Sequence, residues 1–201
     1  MSHSGTVAEF IQSIVEDSIQ VKKQFFADNA QLLADVAEVM THGFQNGRKV
    51  LLFGNGGSAA DAQHIAAEFV GRFEADREPL PAISLTTDTS ALTAISNDMG
   101  FDSVFARQIA ALGQPGDTAI AISTSGNSPN VLNGIAAAKS KGMYTVGLTG
   151  DTGGKMNGAV EALFRVPSRH TPRIQETHIM IGHIVCELIE RRMFADKYRR
   201  D

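Results

Sequence analysis

The sequence lacks the features that mark membrane-spanning and nucleic-acid-binding proteins. No stretch approaches the roughly 20 apolar residues that a membrane span requires, and the chain does not begin with a basic segment followed by an apolar run. Lys and Arg number 18 against 22 Asp and Glu, a net charge of −4 that argues against a nucleic-acid binder. We therefore expect a cytoplasmic protein, with neither a membrane nor a nucleic acid as its partner.

Cysteine is nearly absent. The single cysteine, Cys186, excludes a disulfide within one chain. It lies in an apolar helical pattern with Val185 and Leu188, which favours a small core residue over a nucleophile. Cys186 is therefore interpreted as part of the core.

Short apolar runs alternate with helical patterns along most of the chain. The runs are continuous, as expected for strands covered on both faces. Their alternation with helices predicts parallel strands joined by right-handed crossovers, and hence a doubly wound, flavodoxin-like α/β sheet of five strands. The predicted strands are residues 50–53, 82–85, 118–122, 144–148 and 162–166.

The length and the 43% hydrophobic content suit one core, so residues 1–201 are predicted to form a single domain. Before the first strand, apolar residues at helical intervals predict two helices within residues 1–47, divided at Asp28-Asn29. Thr6 and Glu9 have capping-box spacing at the start of the first. A long last helix is predicted over about 173–194.

The Gly-rich turn at residues 54–58 follows the first strand, where ligands of open α/β sheets bind. A helix that begins there would offer backbone N–H groups to a phosphate. The same residues match the dinucleotide fingerprint, although the acidic residue that this motif requires is late, at Asp88. A purely structural interpretation is that Ser58 caps the helix, with Asp61 three residues later. The turn alone does not choose among these three interpretations.

The loop at residues 123–128 follows the third strand and carries four hydroxyl groups around a glycine. Ser128 is predicted to be the N-cap of the next helix, with Pro129 in its first turn. The remaining hydroxyls suit a phosphate monoester, which neutral donors and helix-terminal N–H groups bind well. No Walker lysine is present, so nucleoside triphosphate chemistry is disfavoured.

His64 and Glu68 lie four residues apart and would share one helix face beside the first loop. Gln175 and His183 lie on the last helix, about 12 Å apart along its axis and roughly 80° apart around it. One regular helix does not aim both at one metal, so the helix is irregular or the two come from different subunits, which we favour. Together the four side chains would form a nitrogen and oxygen ligand set compatible with zinc. His178 is assigned a local hydrogen bond.

These motifs together resemble the phosphoheptose isomerases of the sugar isomerase (SIS) superfamily, over nearly the whole chain. The motifs are 54–58, 61–64, Glu68, 97–98, 123–128, 148–150, 153–154 and 173–176. The resemblance implies that D-sedoheptulose 7-phosphate is isomerised to D-glycero-D-manno-heptose 7-phosphate, the first step toward ADP-heptose for the lipopolysaccharide core.

The resemblance also implies an assembly, a metal and a set of contacts. The assembly is a homotetramer with active sites between subunits, in which residues 1–47 serve oligomerisation. Zinc would be held by His64, Glu68, Gln175 and His183. Substrate contacts map onto Asn55, Gly56, Gly57, Ser58, Glu68, Asn97, Asp98, Ser123, Thr124, Ser125, Ser128 and Gln175.

The chemistry of an aldose–ketose isomerase assigns roles to two of these residues. Moving a carbonyl between C2 and C1 requires a base for the C1 proton, and a second group that moves protons among the oxygens. Glu68 is the predicted base and His183 the predicted proton shuttle.

An alternative within the superfamily is a noncatalytic protein that binds the replication initiator. That relative departs from the isomerase pattern at the positions of Glu68 and His183, which are both present here. This chain has Pro172 where some isomerases carry an acidic residue, a difference that affects the entrance to the site.

Overall fold

The computed structural model describes residues 6–198. Helix α1 (Val7–Gln45) is one continuous helix of 39 residues, so the prediction of two helices divided at Asp28-Asn29 is wrong. Neither residue breaks a helix as proline does, and the Asn29 amide donates to the carbonyl of Phe25 within the same helix (2.8 Å). The predicted capping box of Thr6 and Glu9 is confirmed.

Five parallel strands form one sheet in the order β2-β1-β3-β4-β5, which confirms the doubly wound prediction. Their register aligns Gly54 at the end of β1 with Ile122 at the end of β3. The loops that follow these two strands are therefore neighbours at one edge of the sheet. The strands are β1 Val50–Gly54, β2 Ala82–Ser84, β3 Thr118–Ile122, β4 Tyr144–Thr149 and β5 Ala162–Arg165.

The remaining helices follow the predicted order with one division. The helical pattern over about residues 90–112 predicts one helix between β2 and β3, but the structure splits it at Gly100, whose φ of +84° ends the first of two helices. The helices are α2 Gly57–Val70, α3 Thr89–Met99, α4 Val104–Leu112, α5 Pro129–Ser140 and α6 Thr171–Met193. Short 3-10 turns occupy Phe101–Ser103, Gly154–Met156 and Ala195–Tyr198.

A separate hydrophobic core covers each face of the sheet. On one face Leu52 packs with residues of α1, α2 and α6, and on the other Phe53 packs with residues of α4 and α5. All residues of β1 are buried, as its continuous apolar run predicts. Cys186 is buried in the first core, and its predicted role as a core residue is confirmed. Among the described residues, no helix is long and apolar enough to cross a bilayer.

We expect Gly134→Ala in α5 to lower the free energy of unfolding by about 1–3 kcal/mol through overpacking. A Cβ at this position would lie 2.7 Å from Cε2 of Phe53 and 3.2 Å from Cβ of Phe105. Gly43→Ala in α1 is the matched control, because its nearest neighbours would be 3.7 Å away. The control is expected to be neutral or more stable by up to about 1 kcal/mol, since alanine favours a helix. Urea denaturation measures the free energy of unfolding of both variants. Equal stability of Gly134→Ala and the wild type would contradict the close packing around Gly134.

Candidate active site

The first loop ends in a glycine cap. Gly56, with φ of +57°, is the N-cap of α2, and no side chain caps this helix. The interpretation of Ser58 as the cap is therefore wrong: Ser58 lies inside the first turn and is 4% exposed. Because no side chain occupies the cap, the N–H of Gly57 is left for an anion, whereas that of Ser58 donates to the carbonyl of Asn55 (3.0 Å).

The second loop gathers hydroxyl groups. Ser123 Oγ lies 3.0 Å from Ser128 Oγ and 3.5 Å from Ser125 Oγ. Ser128 is at the N-cap of α5 with Pro129 after it, as predicted, but its hydroxyl contacts Ser123 and does not cap the helix. Thr124 and Ser125 also line a neighbouring cavity of about 420 Å³. The hydroxyls are thus available as a group of donors at the start of α5.

A pair of amides joins the two loops, and sequence reasoning missed one partner. The side chains of Asn55 and Asn130 exchange two hydrogen bonds of 2.9 Å. Asn130 also accepts from the N–H of Val131, and it is 2% exposed. The only sequence signal for Asn130 was its position in the first turn of α5, directly after Ser128-Pro129. The pair fixes the distance between the two loops.

Two histidines and a glutamate converge beyond the first loop. His64 Nε2 lies 2.9 Å from His183 Nε2 and 3.2 Å from Glu68 Oε1. Ligand atoms of all three residues lie within 4.8 Å of one another. One chain supplies all three side chains, so Glu68 and His183 meet without a second subunit. The favoured expectation that Gln175 and His183 of one site come from different subunits stays a prediction.

Gln175 is a residue of α6 whose side chain packs against the start of α2, and it does not lie in the histidine group. A Cβ on Gly57 would lie 3.0 Å from Cδ of Gln175 and closer still to Nε2. Helix α6 runs without interruption from Thr171 to Met193, so it has no irregular turn near Gln175. Gln175 therefore contacts α2 at Gly57, whereas His183 contacts the same helix further along, at His64.

The surroundings of His183 lower the pKa of its ring. Burial lowers the pKa of His183, and the neighbouring His64 lowers it further, while Glu68 opposes both. The ring also packs against Phe73, with centroids 5.5 Å apart. Since a hydrogen bond between two imidazole nitrogens needs one donor and one acceptor, a neutral ring fits this contact.

Asn97 and Asp98 lie apart from this group. They are exposed on α3, where the Asn97 amide donates to Asp98 (2.8 Å), and no residue of α3 is buried. Asp88 caps α3 by accepting from the N–H of Ala91. The acidic residue that the dinucleotide fingerprint needed is thus used as a helix cap, which disfavours that interpretation.

Two further titratable groups lie on the helices that carry the site, the half-buried Asp61 on α2 and the buried His178 on α6. Asp61 has one oxygen without a partner among the described residues, and burial raises the pKa of its carboxyl to about 6. His178 is fully buried and donates from Nε2 to the carbonyl of Thr149 (3.2 Å), which agrees with its predicted local hydrogen bond. Burial lowers the pKa of His178 to about 4.

Known proteins are similar to this chain over nearly its full length. Residues 14–150 match the model of the SIS domain family. A phosphoheptose isomerase from Aneurinibacillus thermoaerophilus is 53% identical over 192 residues, or 94% of this chain and 97% of that protein. One from Aquifex aeolicus is 54% identical over 182 residues, or 90% and 95%. The structure of a phosphoheptose isomerase from Neisseria gonorrhoeae has a TM-score of 0.87 and 44% identity, over 92% of this chain and 99% of that one.

The chain belongs to the phosphoheptose isomerases of the SIS domain family. It is accordingly an aldose–ketose isomerase. The resemblance inferred from the motifs is confirmed at the level of family, fold and class of enzyme.

The histidine and glutamate group has the chemistry of a zinc site. Two imidazole nitrogens and a carboxylate oxygen are ligands that zinc accepts. Ligand distances of about 2.0–2.1 Å place neighbouring atoms of a tetrahedral site roughly 3.3 Å apart. The separations of 2.9 Å and 3.2 Å at His64 are close to this spacing. The residues therefore fit the metal that the family resemblance implies.

We expect acid to destabilise the protein through His178. Its pKa falls from 6.5 to about 4 on folding, so the unfolded chain takes up this proton first as pH falls through that window. The loss is about 3 kcal/mol, at 1.36 kcal/mol per pKa unit. Asp61 acts in the opposite direction below pH 6, because its pKa is raised.

Comparison with His178→Gln isolates the effect, because the contribution of Asp61 is common to both proteins. Urea denaturation at pH 7 and pH 4 should show a smaller loss in the variant than in the wild type. His42→Gln, which changes an exposed histidine of α1, is the control. An equal pH dependence in wild type and His178→Gln would exclude the buried imidazole as the cause.

Proposed function

We propose that the protein interconverts D-sedoheptulose 7-phosphate and D-glycero-D-manno-heptose 7-phosphate through an enediol, as the first step toward ADP-heptose for the lipopolysaccharide core. The observation that carries the proposal is that His183 of α6 meets His64 and Glu68 of α2, the helix whose start offers an N–H group to an anion. His64, Glu68 and one part of the proposed phosphate site thus lie on one rigid element.

The two loops are proposed to bind the phosphate and the polar chain attached to it. The hydroxyls of Ser123, Thr124, Ser125 and Ser128 supply neutral donors, and the N–H of Gly57 lies at the start of α2. Seven helical residues separate Gly57 from His64, a rise of about 10 Å. This separation suits an extended sugar phosphate, with the phosphate at the loops and the reacting carbons near Glu68.

Glu68 and His183 are proposed to move the protons. Glu68 removes the C1 proton of the ketose and returns it to C2, while His183 gives a proton to the C2 oxygen and accepts one from the C1 hydroxyl. The lowered pKa of His183 favours the neutral ring, which is able to accept a proton. Anchoring the phosphate holds C1 and C2 within reach of both groups.

Zinc, one ion per subunit, is proposed to be held by His64, Glu68 and His183, with Gln175 as the fourth predicted ligand. When bound, the ion supplies positive charge that stabilises the enediolate. Gln175 lies beside Gly57 in the isolated chain, so its place in the ligand set rests on the family resemblance.

A homotetramer in the cytoplasm is part of the proposal. The first half of α1 exposes large apolar side chains, among them Val7 (77% exposed) and Phe10 (57%). Helix α3 buries none of its residues within the chain. Apolar surface of this extent commonly marks an interface. Assembly through α1 and α3 would bring Asn97 and Asp98 to a neighbouring subunit's site.

The alternative, a noncatalytic protein that binds the replication initiator, gains no support from the relatives described above. Glu68 and His183, which that protein lacks, lie in one cluster here.

We expect Glu68→Gln to lower kcat by roughly 10²- to 10⁴-fold, the usual contribution of a positioned acid or base. Proton NMR of the enzyme with sedoheptulose 7-phosphate follows the anomeric signals of the aldose. Glu78→Gln makes the same change at an exposed position beyond α2 and is expected to retain activity. Full activity of Glu68→Gln would remove Glu68 from the mechanism, and an inactive wild type with bound zinc would overturn the proposed reaction.

We expect His64→Ala to lose most of the bound zinc, since it removes one nitrogen of a converging set. Elemental analysis after dialysis against dilute zinc gives the metal content per chain. The control is His42→Ala, which removes an exposed histidine of α1. Equal zinc content in the two variants would refute the ligand role of His64.

A further inference from the structure

A buried glutamate organises the segment that follows α2. Glu190 of α6 is 1% exposed and accepts three consecutive backbone N–H groups, from Phe73 (2.9 Å), Glu74 (3.0 Å) and Ala75 (3.0 Å). The hydroxyl of Tyr198 donates to the same carboxylate (2.7 Å). Burial alone would raise the pKa of Glu190, but these hydrogen bonds outweigh it and lower the pKa to about 2. Glu190 is therefore a charged group inside the protein.

Arg77 completes this centre and also reaches the end of α2. Its Nε donates to Glu190 Oε1 (2.8 Å), and neither side chain has more than 1% of its surface exposed. Its other nitrogens donate to the carbonyls of Phe69 (2.7 Å) and Glu68 (2.8 Å). The last carbonyls of a helix have no partner within the helix, so Arg77 acts as a side-chain cap for the turn that contains Glu68.

The pair is connected to both proposed proton-transfer groups. Arg77 holds the backbone of Glu68, and Glu190 holds the N–H of Phe73, whose ring packs on His183 at 5.5 Å. A buried ion pair is weak evidence for stability, because desolvation offsets its attraction. The connections to the site indicate a different role.

We propose that Arg77 and Glu190 are positioning residues that hold Glu68 and the ring of His183 at the distance their chemistry needs. The inference rests on the proposed function for its effect on turnover. The structural part concerns only the positions of these side chains, and it is testable without a substrate.

The kinetic test compares Arg77→Lys and Glu190→Gln with a control variant that disrupts another buried ion pair, at a distance from the site. Arg77→Lys keeps the charge but loses the planar set of donors. Glu190→Gln keeps the shape but places an amide NH₂ against backbone N–H groups. The control is Asp117→Asn: Asp117 is 1% exposed, pairs with Lys49 (2.7 Å) and accepts from the N–H groups of Lys49 and Gln114 at the opposite edge of the sheet.

At a temperature where all variants are folded, kcat of both test variants should fall roughly 10- to 100-fold, as expected for a small misplacement of reacting groups. KM should change by less than about threefold, because the phosphate loops are untouched. Asp117→Asn should keep kcat within about twofold of the wild type. A loss of kcat in Asp117→Asn equal to that in the test variants would overturn the proposal.

NMR of protein labelled with ¹³C at histidine Cε1 provides the readout that needs no substrate. The His183 signal is assigned by its absence in His183→Gln. In the test variants it should shift, because the ring of Phe73 moves, whereas in Asp117→Asn it should not. An unmoved His183 signal in both test variants would overturn the inference. A wild type that does not isomerise the sugar phosphate would overturn the proposed function alone, and the NMR result would still decide the positioning role.

Discussion

The close packing of α2 against α6 is the contact on which the rest of the site depends. The two helices run in the same direction, so that Gly57 meets Gln175, Ile65 meets Gly182, and Glu190 binds the segment after α2. A Cβ on Gly182 would lie 2.5 Å from Cδ1 of Ile65, so a larger residue there would push the helices apart. At this separation His64 and His183 contact each other. The group of His64, Glu68 and His183 is thus a consequence of helix packing.

The sheet supplies the second half of the arrangement. Because β1 and β3 are neighbours in a parallel sheet, their carboxyl ends place two loops side by side. The amide pair of Asn55 and Asn130 then holds those loops together. The loops offer neutral donors and helix-terminal N–H groups, and the histidine group lies further along α2. In the proposed function, the anion and the reacting carbonyl of one ligand would therefore bind in separate places, both on rigid elements.

Local sequence patterns predicted the bounds of the strands to within about one residue. In a doubly wound sheet, a short continuous apolar run bounded by turns usually forms a strand that is buried on both faces. They failed at Asp28-Asn29, where two residues with modest helix preference lie in a helix that packing against α6 and β5 maintains. They failed again at Ser58, because a glycine took the cap and moved the serine into the buried first turn. Both errors have the same cause: tertiary contacts outweigh local preferences of a few tenths of a kcal/mol to about 1 kcal/mol.

The sequence by itself determined the class of fold, since residue type and local spacing carry that information, and it predicted two loops for an anion and His64, Glu68 and His183 as site residues. The tertiary structure alone decided that one chain brings these three side chains together, that Gln175 lies at the start of α2, and that Asn130, Arg77 and Glu190 support the site. These relations join residues between 75 and 119 positions apart, except for the pair of His64 and Glu68 within α2 and the capping of α2 by Arg77. Such distances along the chain become contacts only when helices pack and strands pair, which no local pattern encodes.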